Sequence, residues 1–187
     1  MFFVFTGLST GIGAINHGFR FMIQPDVFHI MWMAMNIFCS ISVYFALTAT
    51  IRFTRADPNI HRIFQIINLI ALLAFISLTI INNDFEIFKI HAGIGLFLIW
   101  ITHIVAYFKS HVAGSGSVVL GMLLSFLTVY VHSKQISINE WFDHKDISHV
   151  IMMISLIMVY NGIYLMQKSI KLSVQRMRYV QLKNLDL

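Results

Sequence analysis

The chain has 187 residues, 58% of them hydrophobic and only 11% charged, with a net charge of +5 and a mean hydropathy of +0.77. Apolar runs near twenty residues long recur along it, the length that crosses a bilayer core of about 30 Å. A soluble globular fold is therefore excluded, and the chain reads as an all-α, polytopic membrane protein. The single cysteine, Cys39, excludes intrachain disulfides and cysteine-based zinc sites. No Walker or dinucleotide-binding pattern occurs, because Gly11-x-Gly13 lies inside an apolar run with no strand before it.

The apolar runs predict helices over 2–20, 27–51, 61–82, 88–109, 117–133 and 147–168. Residues 1–168 then form a six-transmembrane-helix bundle, and 169–187 a basic cytoplasmic tail. The first run begins at Met1 with no basic residue before it and no small-x-small cleavage pattern, so it reads as a span rather than a removable signal peptide. Along it Thr6, Thr10, Gly13 and His17 recur at helical spacing. The second run carries His29, Met33, Asn36 and Ser40; the third Asn68, Thr79 and Asn82; the fourth His91, Gly95 and Thr102; the fifth Gly121, Ser125, Thr128 and His132. Polar groups are costly against lipid, so these stripes are expected to face the bundle interior and line a polar cavity.

Two stretches share one pattern. Asp26-x-x-His29 and Asp146-x-x-His149 each open a Met-rich apolar run, and each follows a run ending in a histidine, His17 or His132. The chain thus reads as built from repeated hairpins. Asp26 and Asp146 stand where helix N-caps belong, and the Met clusters at 31–35 and 152–158 read as packing rather than copper ligation.

Arg52, Arg55, Arg62, Lys109, Lys168, Lys171, Arg176, Arg178 and Lys183 flank one set of helix ends, against Arg20, Lys89, Lys134 and Lys145 at the other. Basic residues favour the cytoplasmic side, which puts both termini inside and the loops near 21–26, 83–88 and 133–146 outside. The basic tail from Lys168 to Lys183 is expected along anionic headgroups, with no nucleic-acid partner. The expected location is a bacterial-type inner membrane.

Under this topology His17, His29, His91, His132, His144 and His149 fall at or near outer helix ends, whereas His61, His103 and His111 fall toward the cytoplasmic half. A catalytic zinc takes about three His or carboxylate ligands and leaves one position for water, and a carboxylate such as Asp26 takes the proton of that water. Haem b is the alternative cofactor. His91 and His103 share a helix and lie about 18 Å apart, but about 120° apart in azimuth, so a single outer haem between His91 and His149, or His29, is the form this alternative takes. A non-catalytic membrane subunit with surface histidines is the third reading.

The run Gly11-Ile12-Gly13-Ala14-Ile15-Asn16-His17, followed by Asp26 at the next helix start, resembles the second-to-third helix region of alkaline ceramidases. These share a superfamily of membrane hydrolases with the progestin and adiponectin receptors. Helices 1–6 would correspond to the last six of the family's seven, and His17, Asp26 and the closing pair His144 and His149 match the motif in order. Gly13 stands where the family has Ser, eight residues separate His17 from Asp26, and the closing histidines are five apart rather than four. The resemblance implies a zinc-dependent hydrolase of a lipid amide or ester acting on an amphiphilic substrate in the bilayer. His17, His144 and His149 would be its metal ligands, with His29, His91 and His132 as alternates, and Asp26 its catalytic residue.

Overall fold

The computed structural model describes residues 1–54, 57–82, 85–139 and 142–185, with side chains described as far as residue 175, Phe85 and Val174 excepted. Six helices follow one another: α1 (Phe2–Gly18), α2 (Pro25–Phe53), α3 (Pro58–Asn82), α4 (Phe85–Ser110), α5 (Ser115–Ser133) and α6 (His144–Leu185). Five of them, α2 to α6, are long and apolar enough to cross a membrane.

Helix starts depart from the apolar periodicity for reasons of capping. Asp57 accepts the backbone N–H of Asn59 at 2.8 Å and Pro58 fills the first helical position, so α3 begins three residues before its apolar run. In α2 Pro25 likewise takes the first turn, after Gln24 in extended conformation. Asp26, expected as the cap, is instead inside that turn, and no side chain caps the helix. In α6 the cap is Asp143 rather than Asp146. Asp143 Oδ1 accepts the N–H groups of Lys145 (2.7 Å) and Asp146 (3.3 Å), while Asp146 Oδ2 accepts that of Asp143 (3.2 Å), a reciprocal capping box. At its other end α6 continues past Lys168, the expected end, to Leu185. Residues 166–185 contain neither Gly nor Pro and are rich in Lys, Arg, Gln and Leu, which sustain a helix.

The chain divides into two compact units, Met1–Ile99 and Trp100–Leu187. In the first, α1 packs on α2 through hydroxyls and aromatic rings. Thr6 and Ser42 hydroxyls meet at 2.6 Å, Ser9 Oγ donates to the Met35 carbonyl at 2.9 Å, and Phe5 stacks on Phe45. The buried face of α1 is Ser9, Gly13 and Asn16; Thr10, expected on it, is exposed and bonds back to the Thr6 carbonyl. α3 returns along α2, where Asn68 Nδ2 donates to the Tyr44 carbonyl and to Thr48 Oγ1, both at 3.1 Å. The connecting turn is tied by His61 Nε2, 2.9 Å from the Thr54 carbonyl.

The second unit is organised by the α5–α6 hairpin, whose contact faces are small residues. A Cβ on Gly121 would meet the Ser155 carbonyl at 2.9 Å, and one on Gly162 the Gly114 carbonyl at 2.7 Å. Gly114 also has φ of 87°, a conformation natural to glycine. The close approach lets serines bridge the helices: Ser117 Oγ donates to Met158 O, Ser155 Oγ to Gly121 O, and the Ser125 and Ser155 hydroxyls meet, each at 2.7 Å. Small residues that permit hydrogen bonds between close backbones are the packing mode of helices in lipid.

Candidate functional site

Burial is inverted relative to a soluble protein. Among the described residues the largest fully buried side chains are Asn16, Asn36, Ser40, Thr79, Ser115 and Ser155, with Val118 alone apolar, while Phe64, Ile67, Ile70 and Leu73 of α3 are exposed. Of the expected polar stripes, Asn36 and Ser40, Asn68 and Thr79, His91 and Gly95, and Gly121 and Thr128 turn inward, whereas His17, His29, Asn82 and His132, nearer the helix ends, are exposed.

In the first unit these stripes converge at one level. Asn68 faces Tyr44 and Thr48 across the antiparallel α2–α3 pair, and the same register sets Thr79 and Phe75 opposite Asn36 and Ser40. From α4, the imidazole of His91 stacks on Phe75 with ring centroids 4.6 Å apart, and Gly95, one turn on, lies against Val43 and Leu47 of α2. Asn36, Ser40, Thr79 and His91 are each at most 3% exposed. Asn36 Oδ1, Ser40 Oγ and both ring nitrogens of His91 have no hydrogen-bond partner among the described residues. His91 therefore belongs to the buried core of this unit rather than to an open helix end.

A pocket of about 330 Å³ opens at the loop end of the α1–α2 hairpin, lined by His17, Arg20, Phe28, His29 and Trp32. Its geometry follows from the packing below it. Gly13 lets Met35 approach α1, and Asn16 Nδ2 reaches the Phe28 carbonyl at 3.5 Å, which brings the last turn of α1 against the first turns of α2. The His17 ring stands edge-on to Trp32 at 6.1 Å, and Phe28 lies parallel to Trp32 at 6.5 Å. Asp26 is exposed in the first turn of α2, three residues before His29 and hence on the same side of the helix. The histidines were legible as candidates. Arg20 and the aromatic pair were not, although Phe28 and Trp32 at i and i+4 flanking His29 are a readable signal.

The loop end of the α5–α6 hairpin holds a second pair: the rings of His132 and His144 are 5.4 Å apart and nearly perpendicular. His144 is half-buried at the start of α6, its backbone N–H donating to Ser137 Oγ at 3.1 Å, and His149 is exposed. Asp143 beside them is committed to the capping box. The Lys145 N–H it accepts holds its carboxyl below the ordinary value of 3.8; partial desolvation opposes this, and the Asp146 N–H and the charges of His144 and Lys145 add to it.

Imidazole nitrogens are suitable zinc donors, and each hairpin brings two together. Among the described residues no group of three or more His, Cys, Asp or Glu gathers closely enough to hold a metal. The His17 and His29 pocket thus offers a pair of donors, one fewer than a catalytic zinc takes from protein.

Apolar helix exteriors around buried polar seams define an all-α integral membrane protein with five helices long and apolar enough to span. More particularly, the chain belongs to a family of unknown function, DUF6962, which matches residues 1–168. No curated protein and no solved structure matches the chain.

Proposed function

We propose that the protein is a membrane-embedded, metal-dependent hydrolase of a lipid amide or ester, crossing the membrane six times with both termini on the cytoplasmic side. The observation that carries this reading is the pocket at the α1–α2 loop end, lined by histidines from two helices together with an arginine and two aromatic rings. The seventeen residues of α1 reach the lower end of the length range for a span, and the basic asymmetry of the loops supports the orientation.

A zinc ion, if held by these imidazoles, would supply a water that ionises near neutral pH. The chain's own groups account for the remaining requirements. His17 and His29, on the two helices of the hairpin, would be the imidazoles that hold the zinc. Asp26, one turn before His29 but outside the pocket lining, would have to reach inward to take a proton from the attacking water. The Arg20 guanidinium offers N–H donors to the oxygen that gains charge as the tetrahedral intermediate forms. Phe28 and Trp32 provide the apolar wall for an acyl chain.

Metal content, an absorption spectrum and turnover on a panel of lipid amides and esters test the reading. Asp26→Asn should keep folding and zinc while turnover falls roughly 10²–10⁴-fold. His17→Ala and His29→Ala should lose zinc, and His144→Ala and His149→Ala report whether the closing histidines add ligands. A Soret band in place of zinc would replace this reading by a b-type cytochrome. Absence of zinc, haem and turnover together would leave a non-catalytic membrane subunit.

A further inference from the structure

The pocket contains a cation with no counter-ion among the described residues. The Arg20 guanidinium lies over the Phe28 ring, 5.7 Å from its centroid, and among the described residues no carboxylate pairs with it. None of the five lining residues is acidic, and Asp26 is not among them. The pocket therefore combines one permanent positive charge, two imidazoles and two aromatic faces.

A guanidinium stays charged at any physiological pH and presents a planar fork of N–H donors that fits carboxylate and phosphate oxygens two at a time. Packing over Phe28 limits the orientations of this fork before a ligand arrives, which lowers the ordering cost of binding. The surroundings define the rest of the ligand. Phe19, Phe21 and Met22 are exposed in the same loop, and the Phe28–Trp32 stack continues the apolar surface into the pocket. An oxyanion at Arg20 is thus placed at the head of a surface suited to an alkyl chain.

We propose that this pocket binds an amphiphile whose head carries an oxyanion, carboxylate or phosphate, and that Arg20 selects it. The consequence for catalysis rests on the hydrolase reading above: the substrate would be an anionic lipid amide or ester rather than a neutral one. Binding itself needs neither metal nor turnover.

The test uses the full-length protein in a nonionic detergent with a chelator present, and 11-bromoundecanoate as probe, because bromine quenches nearby tryptophan fluorescence. Trp32 is one of three tryptophans, so the difference between the protein and its Trp32→Phe variant isolates the pocket signal. The carboxylate probe should quench Trp32 at about a tenfold lower concentration in the protein than in Arg20→Gln, the scale of one charge-assisted hydrogen bond. Arg20→Lys should recover part of the difference and shows that the variants fold. The neutral 11-bromoundecanol should show no dependence on residue 20.

Equal quenching by the carboxylate probe in the protein and in Arg20→Gln overturns the inference. Displacement of the probe by millimolar acetate or inorganic phosphate would overturn the amphiphile as the source of the oxyanion. Selective carboxylate binding in a protein that holds no zinc and turns over no lipid would sink the hydrolase reading alone. Turnover that is indifferent to Arg20→Gln would sink the substrate assignment and the part given to Arg20 at the tetrahedral intermediate, and would leave hydrolysis itself standing.

Discussion

Gly162→Ala tests the register of the α5–α6 hairpin with one methyl group. That methyl would lie 2.7 Å from the Gly114 carbonyl oxygen, 2.6 Å from Val118 Cγ2 and 3.0 Å from Val118 N, whereas ordinary contact begins near 3.4 Å. Two of these atoms are backbone and cannot rotate away, so the helices must separate by about 0.7 Å, the shortfall at the Gly114 carbonyl. Overpacking of this kind costs about 1–3 kcal/mol. Lengthening the Ser117-to-Met158 bond from 2.7 Å adds about 0.6 kcal/mol, the average for hydrogen bonds between helices in lipid. Against this stands the intrinsic preference for Ala over Gly in a helix, roughly 0.5–1 kcal/mol. The net expectation is destabilisation by about 0.6–3 kcal/mol. Equilibrium unfolding in mixed micelles, followed by circular dichroism, measures it. Gly93→Ala is the internal control, because a Cβ there meets nothing within 4 Å and only the helix preference remains. If Gly162→Ala proves as stable as Gly93→Ala, the helices do not approach at this register.

Asp143→Ala should raise hydrogen exchange at the Lys145 and Asp146 amides at neutral pH, since both donate to the lost carboxylate; unchanged protection would reject the capping box. Because the folded carboxyl is held below its ordinary value of 3.8, its contribution is complete above that pH and is lost as pH falls through the lower folded value, where variant and parent should converge. His91→Leu removes two buried nitrogens that lack partners among the described residues and should stabilise the protein by roughly 1–3 kcal/mol in a thermal melt; a loss of that size would show that the ring is held by a ligand. Reporter fusions should place residues 83–88 and 134–146 on the side opposite both termini, and cytoplasmic labelling of either loop would overturn the six-span topology.

Helix number and the mid-helix parts of the inward stripes were legible because both rest on apolar periodicity, which a membrane enforces strongly; toward the helix ends that constraint lapses, and His17, His29, Asn82 and His132 are exposed. Helix starts were less so. They are set by single side-chain bonds, and Asp57-Pro58 and Asp143 win over hydropathy at α3 and α6. The end of α6 was misplaced because the apolar run stops while helix propensity does not. The serine and glycine contacts of the α5–α6 hairpin had a signal in the seven-residue spacings Gly114 to Gly121 and Ser155 to Gly162, which place small residues on one helix face. At the candidate site the histidines were readable one by one. The partnership of His17 with His29, and of His132 with His144, depends on hairpin packing that spacing alone does not express. Arg20 was read only as a charge at a helix end, because nothing in its own position announces the Phe28 ring beneath it.

The uninterrupted course of α6 has a mechanical consequence. Its 42 residues amount to about 63 Å of helix, roughly twice the hydrocarbon thickness, so about half its length projects beyond the layer that its apolar half fits. An unbroken helix does not bend at Lys168, so the basic half of α6 continues the axis of the apolar half as a lever arm. A tilt of about 10° within the membrane would swing the far end by roughly 5–6 Å over that projecting half. A small repacking of the α5–α6 hairpin would thereby be amplified along the projecting half of the helix.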